Sequence, residues 1–139
     1  MNWFQWSLLS AVFAALTAIF AKVGVSGVDS NLATAIRTTV VVVFAWIIAA
    51  STGGVKPILE LQSKTWVFLA LSGMGTGLSW LCYFRALQLG EASKVAPVDK
   101  LSVALVIVLS VIFLGETLTL AKASGGALIV AGVLILALN

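Results

Sequence analysis

The stretch VAPVDKLSVALVIVLSVIFL (residues 95–114), followed after GETLT (residues 115–119) by LAKASGGALIVAGVLILAL (residues 120–138), decides the fold class. A helix needs about 20 mostly apolar residues to cross the hydrocarbon core of a bilayer. Both runs have about that length, and only a short polar stretch separates them. The sequence therefore predicts two membrane-spanning helices joined by a tight turn.

Three more apolar segments of this kind precede the pair, and they are residues 3–21, 32–50 and 66–87. The fold class that we predict is all-α and integral to the membrane, a bundle of five transmembrane helices in one domain over residues 1–139. Residues 56–64 are predicted to form a short interfacial helix. Ser93 and Thr119 are predicted N-caps, because a hydroxyl oxygen there satisfies a free backbone N–H.

Composition agrees with a membrane protein and excludes several other classes. The chain has 139 residues, of which 61% are hydrophobic and 9% charged, whereas soluble domains carry roughly 25% charged residues. The net charge of +3 comes from scattered lysines and arginines, so nucleic acid is not an expected partner. There is no histidine, and Cys82 is the single cysteine. We expect no metal, no cofactor and no enzymatic activity, since a nucleophile–base pair is also missing.

Orientation in the membrane stays open at this point. Side A, which we define by the N-terminus, carries Lys56, Lys64 and Lys122, and side B carries Lys22, Arg85 and Lys94. Because the positive-inside rule needs an asymmetry, this balance allows either one orientation or insertion both ways.

Small residues mark two helices. Gly73 and Gly77 form a GxxxG pair, and alanines 123, 127 and 131 form a stripe in the last helix. Such residues let helix backbones approach closely in lipid. They predict either packing within the chain or a dimer interface, for which the last helix is the better candidate.

Charged residues fall inside the predicted spans. Arg37 and Asp99 each lie roughly 9 Å from the side B end of their helices, and Arg85, Lys94 and Lys100 approach the same layer. In one interpretation Arg37 and Asp99 form a buried pair while the other three reach the headgroups. In the other they form a positively biased cavity for an anionic or zwitterionic solute, and Asp99 titrates or binds an amine.

Three uncharged residues are further candidates for that cavity. Pro97 removes a backbone N–H and frees a carbonyl near Ser93, unless it is an ordinary first-turn proline. Trp80 and Tyr83 share a helix face, where they line the cavity or pack in the core.

Several motifs resemble those of EamA domains in the drug/metabolite transporter superfamily. RALQLGEASKVAP (residues 85–97) looks like the junction between the third and fourth helices, and LGETLT (residues 114–119) like that between the last two. Arg37 in AIRTT, Gly126, and Gly132 in IVAGV are also similar to family positions. The likeness covers nearly the whole chain.

The resemblance implies a transporter of metabolites, amino acids or drugs. Most members carry two five-helix domains of opposite orientation, whereas this sequence has one. It therefore implies a half-unit that acts as a homodimer, antiparallel if both orientations insert, in a bacterial or archaeal cytoplasmic membrane.

The expected substrate is a small polar metabolite, anionic or zwitterionic and amino acid-like. The glutamate that small multidrug-resistance relatives carry in the first helix is missing, so their proton exchange is not expected here. An assembly subunit, or a flippase-like half-unit for a lipid-linked solute, stays an alternative.

Overall fold

The computed structural model describes residues 2–55, 58 and 60–138, and the elements in those residues are all helical. The helices are α1 (Trp3–Gly24), α2 (Ser30–Ser51), α3 (Ser63–Leu89), α4 (Ala92–Asp99), α5 (Leu101–Leu114) and α6 (Leu120–Leu138). Helices α4 and α5 together make the fourth apolar span, Ala92–Leu114. The described residues thus contain five segments long and apolar enough to cross a membrane, which confirms the predicted fold class.

Several spans extend beyond the apolar runs because polar residues at their ends cap them. Asp29 accepts hydrogen bonds from the N–H groups of Asn31 and Leu32, both at 3.0 Å, so α2 begins before the apolar run. Thr119 Oγ1 accepts the N–H of Lys122 at 3.2 Å, which confirms that predicted cap. The predicted cap at Ser93 is wrong: the N-cap of α4 is Glu91, whose carbonyl accepts the first helical N–H groups.

The predicted interfacial helix over residues 56–64 lies partly outside the described residues, since 56, 57 and 59 are not among them. Ile58 and Glu60 have 3-10 helical conformation, Leu61 and Gln62 have no regular structure, and Ser63 already belongs to α3. The part that the structure describes is therefore a turn leading into α3.

The chain divides into two compact units, which we describe separately. The central unit is Ala21–Gln88, and it holds the end of α1, all of α2 and most of α3. The terminal unit comprises the described residues up to Phe20 and from Leu89 onward, including α4, α5 and α6.

In the terminal unit, the turn between α5 and α6 is closed by GETLT. Gly115 has a φ of 67°, a left-handed conformation that glycine adopts without the Cβ penalty. This conformation brings the Glu116 N–H to the Ser110 carbonyl at 3.2 Å. The Glu116 carboxylate then accepts a hydrogen bond from Lys122 Nζ at 2.9 Å. The motif that carries the family resemblance therefore forms the turn of a helical hairpin, and the Glu116–Lys122 ion pair links the turn to α6. We call this ion pair the hairpin staple.

The staple is expected to weaken in acid. The pKa of the Glu116 carboxyl lies below its ordinary 4.5, first because Lys122 donates a hydrogen bond to it and then because of the charge on Lys122. A depressed folded-state pKa stabilises the fold above the unfolded pKa, and this contribution is lost as the pH falls through the folded pKa. Glu116→Gln should lower the unfolding temperature in detergent at about pH 6, and the difference should shrink as the pH is lowered through the range in which this carboxyl takes up its proton. A difference that persists in acid would contradict the ion-pair account.

Helices α5 and α6 pack closely at Gly126. This residue is buried, and a Cβ built on it would lie 3.3 Å from Ile107 Cδ1 of α5. A Cβ at the neighbouring Gly125 would meet no atom within 4 Å. That side of α6 is therefore used for packing within the chain, as small residues in membrane helices often are.

This contrast gives a matched test of the packing. Gly126→Val should lower the free energy of unfolding by about 1–3 kcal/mol, because overpacking a tight contact forces side chains off their rotamers. Gly125→Val makes the same change in helix propensity, but its side chain would meet open space. It should therefore lower the free energy of unfolding by less. The second substitution Ile107→Ala should restore part of the loss in Gly126→Val, measured by denaturation in mixed micelles. Equal effects of the two valines would rule out the contact as the cause.

Candidate functional site

A cation–π stack lies inside the membrane-spanning part of the central unit. Arg37 Cζ of α2 is 3.8 Å from the ring centroid of Trp80 on α3. The Phe84 ring, one helical turn further along α3, is 5.5 Å away. Both distances are within the range of about 6 Å in which a guanidinium is attracted to the face of an aromatic ring. The structure therefore holds a permanent positive charge against two aromatic side chains.

The residues around Arg37 explain why a charge is held at this position. Thr34 and Thr38 donate their hydroxyl groups to the carbonyls of Ser30 and Thr34, at 2.8 and 2.7 Å, so their polarity is satisfied within α2. Arg37 lies about two turns into the helix and is half-buried. Both rings lie against its guanidinium, and their attraction for a cation stabilises the charge there.

The end of the central unit nearest the α1–α2 loop is closed by hydrogen bonds between its elements. Lys22 Nζ donates to the Leu87 carbonyl at 2.6 Å, and Gln88 Nε2 donates to the Val28 carbonyl at 2.5 Å. A lysine at the C-terminus of α3 satisfies a free carbonyl and complements the helix dipole. Leu87 itself is completely buried, and Val25 is 2% exposed. These contacts tie the ends of α1 and α3 to the α1–α2 loop.

Arg85 and Tyr83 occupy different positions in this unit. Arg85 is exposed, and its Nη1 donates to Gln88 Oε1 at 3.0 Å, so it lies at the hydrogen-bonded end rather than over the Trp80 ring. Tyr83 is half-buried on α3. Phe84, which the sequence analysis did not single out, is the second ring at Arg37. Its spacing of four residues from Trp80 was the signal for a shared helix face.

In the terminal unit, Asp99 and Lys100 form an ion pair where the fourth span is interrupted. Asp99 Oδ2 is 3.1 Å from Lys100 Nζ, and both side chains are partly exposed. Helix α4 ends at Asp99 and α5 begins at Leu101. Pro97 lies inside α4, beyond its first turn, so the first-turn alternative is wrong. Pro97 leaves the Ser93 carbonyl without its normal helical donor.

The structure thus brings Arg37 together with Trp80, and Asp99 together with Lys100, in separate units. A pairing of Arg37 with Asp99 stays a prediction. Among the described residues, no three histidine, cysteine, aspartate or glutamate side chains come together as metal ligands would. The central unit therefore offers the guanidinium of Arg37, stacked on an aromatic ring. The terminal unit offers the Asp99 carboxylate, within an apolar span and beside the Lys100 ammonium.

Residues 1–138 match the EamA-like transporter family. The chain belongs to this family. An uncharacterized transporter in the cobO 3′ region of Sinorhizobium sp is 54% identical over 136 residues, which cover 98% of the chain and 96% of that relative.

Two more distant relatives differ in length. The uncharacterized protein MJ1333.1 of Methanocaldococcus jannaschii is 30% identical over 69% of the chain and 77% of its own length. The uncharacterized transporter YvbV of Bacillus subtilis is 36% identical over 91% of the chain but only 42% of its own length. No solved structure matches the chain.

These matches confirm the resemblance that the sequence motifs indicated. This EamA protein is an integral, multi-pass membrane protein of a transporter family, with five apolar spans among its described residues. Its LGETLT motif carries the glutamate of the hairpin staple, and its AIRTT motif carries the stacked arginine.

Proposed function

We propose that this EamA protein transports a small polar metabolite that carries an anionic group, as one half of a homodimer. The observation that carries this proposal is the Arg37 guanidinium stacked on Trp80 at 3.8 Å within the membrane-spanning part of the chain. A charge at membrane depth is costly and usually marks a substrate pathway or a partner.

The stack supports an anionic or zwitterionic substrate. A guanidinium is planar, so a ring against its face leaves the N–H groups at its edge pointing outward in a fixed plane. That edge matches a carboxylate or phosphate, which accepts two parallel hydrogen bonds. Tyr83 lies on the same helix, and the exposed Arg85 would attract anions toward this end. An amino acid-like solute also carries a carboxylate of this kind.

A second copy of the chain is the proposed partner. The chain matches only 42% of the length of the Bacillus subtilis relative, but 96% of that of the Sinorhizobium relative. A relative of the greater length has room for two such units. Five crossings place the two ends of a unit on opposite sides of the membrane, and inverted repeats build a pathway at their interface. The organisms of the relatives favour a bacterial or archaeal cytoplasmic membrane.

Flux measurements on purified protein in lipid vesicles test the transport proposal. The panel should contain labelled amino acids, dicarboxylates, phosphate esters and organic amines. Saturable uptake of a carboxylate- or phosphate-bearing solute is expected, with no uptake of simple amines. Lys64→Gln, which removes a positive charge from the opposite end of α3, is the control and should retain most of the flux. Failure of the whole panel would instead favour a membrane assembly subunit, and movement of a lipid-linked phosphate would favour a flippase-like half-unit.

The homodimer is tested separately by topology and stoichiometry. Reporters that are active on only one side of the membrane are fused after residue 139. An antiparallel homodimer requires both reporter types to be active, because copies insert in both orientations. A single active type would contradict dual insertion. Single-molecule photobleaching in bilayers should count two copies per spot, and one copy would contradict the half-unit.

A further inference from the structure

The third span carries four of its hydroxyl groups on one face. Ser72, Thr76, Ser79 and Tyr83 follow one another at the alternating four- and three-residue spacing that aligns side chains along a helix. Ser72, Thr76 and Ser79 are exposed, and Tyr83 is half-buried. At about 1.5 Å per residue, the line is roughly 16 Å long. We call these four residues the hydroxyl face.

The opposite face of α3 is apolar. Met74, Leu78 and Leu81 lie about half a turn away from the hydroxyl face and are 65%, 64% and 37% exposed. Among the five apolar spans of the described residues, α3 has the lowest mean hydropathy, 1.4 against 1.8 to 2.2. Polar side chains within a membrane span usually face the interior of a bundle or a water-filled cavity rather than lipid. The two faces of α3 therefore suit two different surroundings.

The hydroxyl face is open at its centre. A Cβ built on Gly75, which lies beside Ser72 and Ser79, would meet no atom of the described residues within 4 Å. Thr76 Oγ1 donates to the Ser72 carbonyl at 3.0 Å, so its own helix fixes this hydroxyl. The oxygen keeps lone pairs that accept a hydrogen bond from another molecule. The face thus presents a polar oxygen at about every turn of the helix.

The hydroxyl face is continuous with the cation–π stack. Trp80 directly follows Ser79, and its ring centroid is 3.8 Å from Arg37 Cζ. Beyond the stack, hydrogen bonds tie α1, α3 and the α1–α2 loop together at the side B end. In the other direction, toward side A, the hydroxyl face continues for roughly 12 Å along α3. A guanidinium therefore lies at the inner end of a line of hydroxyl groups.

We propose that the hydroxyl face lines a hydrated path along which a small anion reaches Arg37 from side A. Hydroxyl groups donate and accept hydrogen bonds, so they bind the water around an anion as well as the anion itself. Without such partners, an ion at this depth would lose its hydration at a large cost in free energy. The charge of Arg37 attracts the anion toward the inner end. That the anion is the transported solute rests on the proposed function, whereas the hydration of the face does not.

Water accounts for this face better than a second helix does. Close packing of membrane helices uses small residues that let two backbones approach. In α3 the GxxxG pair, Gly73 and Gly77, aligns with Trp80 and Phe84 rather than with the hydroxyl face. A helix that packs on this pair would lie to one side of the hydroxyl face.

Cysteine accessibility measures the hydration of the face with no solute present. Single cysteines replace Ser72, Thr76 or Ser79 in a chain with Cys82→Ala, because the exposed Cys82 would itself react. The protein is reconstituted into lipid vesicles. Charged methanethiosulfonate reagents are admitted to both sides of the membrane by freeze–thaw, so that the orientation of the chain does not affect the result.

The matched controls are Met74→Cys and Leu78→Cys, which bracket Thr76 in depth and are 65% and 64% exposed. They differ from the test positions in the face of α3 on which they lie. Cysteines of the hydroxyl face should react about tenfold faster or more, because the reactive thiolate forms in water and not in hydrocarbon.

The charge of the reagent tests the role of Arg37. Rates for an anionic sulfonate reagent and a cationic ammonium reagent are each divided by the rate of that reagent with a small thiol in solution. At Ser79→Cys, next to the stack, the anionic reagent should be favoured roughly fivefold, and adding Arg37→Gln should remove the preference. Ser72→Cys lies farther from Arg37 and should show a weaker preference.

Three results would overturn the proposal. Equal rates on the two faces of α3 would show that the hydroxyl face is no wetter than the apolar face. Slow labelling together with disulfide cross-links between copies at Ser72→Cys would assign the face to a second copy of the chain. The absence of an anionic preference at Ser79→Cys would exclude a path for anions. Fast, anion-selective labelling without solute flux in the vesicle panel would instead refute the transport proposal alone.

Discussion

Arg37→Gln is expected to weaken solute uptake by about a hundredfold in apparent affinity. The reason is the loss of two charge-assisted hydrogen bonds, which together contribute on the order of 3 kcal/mol, and each 1.4 kcal/mol is a factor of about ten. Arg37→Lys keeps the charge but loses the planar edge and the stack, so its defect should be smaller yet clear. The measurement is the concentration dependence of uptake in vesicles for the solute that the flux panel identifies.

Tryptophan variants test whether the stack itself matters. Trp80→Leu should weaken uptake by roughly 2–30-fold, which corresponds to the range of about 0.5–2 kcal/mol for a cation–π contact. Trp66→Leu makes the same chemical change on the same helix at a residue that is 50% exposed, and uptake should stay close to the wild type. If Arg37→Gln transports with unchanged kinetics, the guanidinium is not the binding group.

The spans were predictable because they depend on one property, the length of an apolar run. No tertiary contact is needed to know that residues 101–114 or 128–138 avoid water. The ends were less accurate because they depend on single capping side chains. Asp29 extends α2 into a polar stretch, and Glu91 rather than Ser93 begins α4. Hydropathy contains no information about which of several polar residues accepts the first free N–H.

The candidate site was predictable as a set of residues but not as a set of contacts. Charge inside a span singled out Arg37 and Asp99, since such residues are rare in lipid. The aromatic partner of Arg37 depends on how α2 and α3 face each other, which a sequence pattern does not give. Phe84 was overlooked because it resembles any other apolar residue. Pro97 indicated an irregular helix, but the interruption falls at Lys100. There the backbone hydrogen bonds span three residues instead of four.

Leu87→Ala should be the most damaging single substitution for the stability of the central unit. Leu87 is 0% exposed, whereas Leu89, at the end of the same helix, is 73% exposed. Truncating a buried leucine costs about 2–5 kcal/mol, because the remaining side chains collapse only partly into the space. Leu89→Ala removes the same atoms from an exposed position and should change the stability by about 0.5 kcal/mol or less. Denaturation in mixed micelles compares the two.

The same variant tests how the site is supported. The backbone carbonyl of Leu87 accepts the hydrogen bond from Lys22, and an alanine keeps that carbonyl. A large loss in Leu87→Ala would therefore report side-chain packing rather than the loss of this bond. Because Phe84 is 3% exposed and lies one turn before Leu87, loosening this core should also disturb the ring at Arg37 and weaken uptake. Equal stabilities for Leu87→Ala and Leu89→Ala would show that this core does not hold α3 in place, and the stack would then need another support.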